Sequence, residues 1–99
     1  MIGRYYKLVD KVPVPVASLL EATTDEPARR VALTQIGDVT VSTVFLVFDH
    51  AWGAGRRPLL FETMVFGGEH DEFQERCCTW DEALEMHERA CVMVRRRCD

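Results

Sequence analysis

The chain reads as an α+β domain. The expected architecture is a two-layer sandwich: a curved antiparallel sheet of about four to five strands, covered on one face by a C-terminal helix and a short N-terminal helix. Three observations lead there. Residues 29–48, RRVALTQIGDVTVSTVFLVF, hold two strand-like runs on either side of Gly37-Asp38, a tight-turn pair. Residues 59–66 and 73–78 read as two more strands, separated by Gly67-Gly68 and an acidic turn. Residues 79–97, TWDEALEMHERACVMVRRR, then repeat apolar residues at helical spacing.

Taken in order, Tyr5 to Val9 is rich in aromatic and branched residues and predicts a first strand. KVPVPV follows, and Pro13 and Pro15 are expected to break it, since neither can donate to a ladder. Ser18 and Glu21 stand at capping-box spacing, so a helix of about two turns is expected there, ended by Pro27. In the strand from Val39, the odd positions to Val47 share one face and the even positions to Phe48 the other. Residues 44–48 are apolar on both faces, which predicts a central, doubly covered segment. In the closing helix, Trp80, Ala83, Leu84, His87, Cys91 and Val94 form the predicted apolar stripe. Thr79 and Glu82 form a second capping box, and Glu85 and Arg89 a favourable pair.

The 99 residues are of single-domain size, residues 1–99. An apolar content of 47% needs no metal or disulfide staple. A net charge of −4 disfavours nucleic acid as a direct ligand. Eight acids between Glu69 and Glu88 face Arg76 alone, whereas residues 89–97 carry four arginines and no acid. A helix dipole accounts for that polarity. With no signal-peptide pattern and no long apolar run, a cytoplasmic setting is expected, with reduced cysteines. Cys77, Cys78, Cys91 and Cys98 lack zinc-site spacing and read as small buried or half-buried hydrophobes. Phosphate-loop, dinucleotide, nucleophile-elbow, metalloprotease and calcium-loop patterns are missing, so no cofactor, metal or catalytic residue is predicted.

The conspicuous feature is the polar interval 49–58, DHAWGAGRRP. It is long for a hairpin connection, and Trp52, Arg56 and Arg57 are of the types that concentrate at binding hot spots. Trp52 standing in water favours recognition, and Trp52 folded back as a lid favours a structural role. Asp49, His50 and Glu62 could meet at the loop base as a general-base or divalent-metal constellation. His87 is expected in the core, where pointing across the sheet toward Glu62 would make a buried His–carboxylate pair; a structural part suits it better than a functional one.

STVFL, Asp49-His50, PLLFETMVFGG, TWDEA and His87 together resemble a family of small proteins encoded by bacteriophages and prophages. The resemblance spans residues 37–87, about half the chain, and departs from the family at Cys77-Cys78, where an aromatic and a small polar residue are usual. It implies a setting, not a mechanism, and marks Asp49, His50, Glu62, Met64 and His87 for test. The leading expectation is a non-enzymatic accessory protein in a bacterial host. It would bind a host protein or ribonucleoprotein, as anti-defence factors of the anti-CRISPR type do. The alternatives are a small-molecule or metal site at Asp49, His50, Glu62 and His87, and homodimerisation through an edge strand.

Overall fold

In a computed structural model, residues 5–49 and 57–96 are described. β1 (Tyr5–Val9) and β2 (Val12–Val16) form a two-stranded ribbon. A 3-10 turn (Leu19–Glu21) and α1 (Glu26–Arg29) follow. β3 (Arg30–Ile36), β4 (Val39–Phe45), β5 (Phe61–Phe66) and β6 (Gln74–Cys77) make an antiparallel meander in that order, and α2 (Trp80–Arg96) closes the fold. The α+β class and the C-terminal helix on the sheet are as the sequence predicts.

The proline segment departs from expectation. KVPVPV continues the first strand as a hairpin, and Asp10 and Lys11 both take positive φ, 49° and 70°, in a two-residue turn. Val9 pairs with Val12, so the hydrogen-bonded pairs recur at Val14 and Val16. Pro13 and Pro15 fall on the alternate positions, whose nitrogens point outward. No bond between β1 and β2 is lost there. The other margin of β1 is occupied as well: Tyr6 N–H donates to Val47 O and Leu8 N–H to Thr23 Oγ1.

The predicted two-turn N-terminal helix is a second correction. Ser18 makes no side-chain cap bond, and neither short helical segment buries a residue. Pro27 sits in the first turn of α1 and begins that helix, where its missing N–H costs nothing.

The Gly37-Asp38 hairpin forms as expected, with Gly37 at φ 60°. β4 alternates strictly, with Val39, Val41, Thr43 and Phe45 buried and Thr40, Ser42 and Val44 half-buried. Helix α2 covers the odd face of β4; in 44–48 both Phe45 and Leu46 are buried, whereas β4 ends at Phe45 and Phe48 is 46% exposed, so double coverage is confined to the end of the strand. Leu84 lies outside the buried stripe of α2, at 45% exposure; Met86 and Ala90 enter it instead. Beneath the helix, Val39, Val41, Val65, Ala90, Cys91 and Val94 pack at one end. Phe45, Leu60, Phe61, Ala83 and Met86 pack at the other, joined by Tyr6, Leu8, Val31 and Trp80. Phe61 stacks tilted on Phe45 at 5.5 Å and edge-on to Trp80 at 6.2 Å. The capping box at α2 is complete: Glu82 N–H donates to Thr79 Oγ1, and Thr79 N–H to Glu82 Oε1, both at 3.1 Å. Arg89 bonds Glu75 on β6 at 3.1 Å, which couples helix to sheet where an intrahelical Glu85 pair was expected.

Candidate interaction site

The sheet separates the predicted site residues. Along β5 the burial pattern places Phe61, Thr63 and Val65 under α2, and Glu62, Met64 and Phe66 on the opposite face. Glu62 and His87 therefore lie on opposite sides of the sheet, and the expected His87–Glu62 pair does not form. The four-residue constellation of Asp49, His50, Glu62 and His87 cannot converge for the same reason. Among the described residues no group of three His, Cys, Asp or Glu side chains is placed to hold a metal.

On the helix side, His87 is 6% exposed and bonded at both ring nitrogens. Nδ1 shares a hydrogen bond with Thr43 Oγ1 at 2.7 Å, and Nε2 with Thr34 Oγ1 at 2.8 Å. Thr43 in turn bonds Thr63. A single line of hydroxyls and one imidazole thus threads β3, α2, β4 and β5. Burial holds the His87 pKa below its ordinary value, against a smaller opposing pull from Glu88. Thr43 and Thr63 have no exposed surface, so a hydroxyl–imidazole pair that elsewhere makes a nucleophile has no reactant to meet here. Its work is to satisfy polar groups between helix and sheet.

The outer face carries the other cluster. Glu62 and Arg76 stand opposite each other in register; Arg76 Nε donates to Glu62 Oε2 at 3.0 Å, and Gln74 donates to the same oxygen. The Glu62 side chain is 12% exposed, Arg76 34%. On the Glu62 side of this neutralised pair lie Leu33, Val44, Met64 and Phe66, together with Thr40 and Ser42. Leu33 and Phe66 are 53% and 48% exposed. A shallow depression of about 380 Å³ runs along this face, bounded by Glu26 and Arg30.

At the loop base, one Asp49 carboxylate oxygen accepts the Leu59 N–H at 2.9 Å. Burial, helped by the Asp49 charge, raises the Tyr6 pKa. Arg57 reaches Glu82 of α2 at 3.4 Å in an exposed pair. Hydrogen bonds from Cys78 N–H above all, with Arg57 nearby, hold the Glu82 carboxyl below its usual range. His50, Trp52 and Arg56 lie outside the described residues. Cys77 and Cys78 are half-buried. Burial is the main cause that pushes Cys77 up to about 11 and raises Cys78, which leaves both as poor nucleophiles near neutral pH.

Sequence reasoning missed the threonine line, because threonine at alternate strand positions reads as solvent-facing until the sheet's covered side is known. The signal was present in part: Thr43 and Thr63 share parity with Phe45 and Phe61. Comparison with protein-family models, with curated proteins and with solved structures found no match.

Proposed function

We propose that this chain is a small phage- or prophage-encoded accessory protein, acting in the bacterial cytoplasm. It binds a host protein or ribonucleoprotein through the bare face of its sheet and the adjoining 49–58 loop, in the manner of an anti-defence inhibitor. One observation carries the reading. Leu33, Val44, Met64 and Phe66 line a depression whose edge is the charge-neutralised Glu62–Arg76 pair, on the sheet face opposite α2. An apolar centre with a polar, internally paired rim is the make-up of a protein-binding patch. Arg57 pairs with Glu82 of α2, and Asp49 accepts the Leu59 N–H across the base of the interval; Trp52 and Arg56 lie between these positions in sequence. Glu62 and Met64, two positions marked by the phage-family resemblance, both belong to this face. No membrane partner enters the proposal, and among the described residues no helix is long and apolar enough to cross a bilayer.

The test is affinity capture from an infected or lysogenic host with wild type, Phe66→Lys, Trp52→Ala and Arg56→Ala. Loss of one reproducible host partner in the variants, with the thermal midpoint held, supports the reading. A partner retained by Phe66→Lys and by both loop variants removes it.

A further inference from the structure

We infer that the free edge of β3 is a self-association site. Two copies would pair their β3 strands antiparallel about a two-fold axis at Thr34, so that their sheets run on as one.

The register fixes which groups are available. Ile36 and Val39 close a two-residue turn and are a hydrogen-bonded pair, so bonding to β4 recurs at Thr34 and Ala32. The bonds that Val65 exchanges with Phe73 and Glu72 carry the same alternation through the sheet. Leu33 and Gln35 therefore turn their N–H and C=O groups away from β4. No described group takes those of either residue.

The other margins are closed. The nitrogens at Pro13 and Pro15 deny donors to an incoming strand on β2. Val47 and Thr23 occupy the outer side of β1. β6 is four residues long and carries Glu75 and Arg76, a short charged edge of the kind that resists pairing. β3 has seven residues, no proline, and Arg30 as its one charge.

The strand is also its own complement. With the axis at Thr34, Leu33 faces Gln35 of the second copy and Gln35 faces its Leu33. All four residues have outward backbone groups, so both pairs can exchange hydrogen bonds. Beyond Ala32 a bulge shifts the register of β3, and the strand then carries Arg30 to the neighbourhood of Asp38 of the second copy, on both sides of the axis. Asp38 has no ion pair among the described residues, and the Arg30 guanidinium pairs there only with the exposed Glu26. Leu33 would lose its exposure against the stem of Gln35 and, diagonally, against Leu33 of the second copy. Such a pairing leaves both α2 helices on one side and merges the two bare faces on the other. It stands independently of which host molecule that face binds.

Sedimentation equilibrium of the full chain, from micromolar to sub-millimolar concentration, tests it. A monomer–dimer equilibrium is expected. Leu33→Pro removes an outward donor and no bond to β4, and should weaken the dimer by at least about tenfold. Arg30→Asp and Asp38→Arg should each weaken it, and the double charge swap should restore it. The charge variants lie at exposed positions and decide the matter even if Leu33→Pro fails to fold. A monomer throughout overturns the inference, and so does a dimer indifferent to Leu33→Pro and to both charge reversals.

Discussion

His87 is the polar side chain that α2 buries against the sheet. Its two nitrogens are spent on Thr34 and Thr43, so Thr43→Val strands both the imidazole Nδ1 and the Thr63 hydroxyl. That variant should lose about 1–3 kcal/mol in urea unfolding, whereas a Val in place of an exposed Thr on the other face would cost little. The same site sets a pH dependence. Unfolded, His87 titrates near 6.5; folded, burial holds it lower. As pH falls below 6.5 the unfolded chain takes up a proton that the core refuses, so stability is full above that value and falls below it. Urea midpoints measured from pH 7.5 downward should show that decline, and His87→Gln should flatten it. The helical period placed His87 in the core correctly, because residues 83, 87, 91 and 94 share a stripe. Its partners were not legible. Glu62 was favoured for its charge, yet alternation with Phe61 and Thr63 already put it on the other face.

Among the elements, α2 was the most legible, since capping, spacing and dipole all agree on one answer. Thr79→Ala removes the acceptor for the Glu82 N–H and should cost about 1 kcal/mol, read as a lower thermal midpoint. The turn before β6 holds Glu72 at φ 72°, a conformation that costs a side-chain-bearing residue about 1–2 kcal/mol. Glu72→Gly should therefore leave stability unchanged or raise it by up to about 1 kcal/mol, once the added freedom of the unfolded chain is counted. Gly68 is the opposite case. Its φ is 71° and a Cβ there would sit 2.7 Å from Val39 Cγ2, so Gly68→Ala should lower the midpoint. The N-terminal third was the least legible. Proline counts against a strand only when its nitrogen faces a partner, and register, which composition does not reveal, decides that. Pro27 likewise reads as a stop in isolation and serves as a start once Glu26–Arg29 is seen.

At the scale of the molecule, α2 covers one face of the four-stranded sheet, and among the described residues no second long helix lies on the other. The alternation in β4 and β5 was visible in the sequence. Which parity would be covered depended on where α2 lands, and of residues 44–48 only Phe45 and Leu46 are buried on their opposite parities, while Phe48 is exposed. Phe66→Lys lies on the uncovered side and should shift unfolding by no more than about 0.5 kcal/mol. A larger loss would mean that the face is packed against something within the chain.

The prolines of β2 have a consequence for how its margin looks in deuterium. Every amide hydrogen that strand possesses, at Val12, Val14 and Val16, is directed at β1, and the two positions that would face water have none. An outermost strand should then take up label as slowly as an inner one for as long as the ribbon stays closed. Any rapid labelling at those valines would report the ribbon opening as a unit.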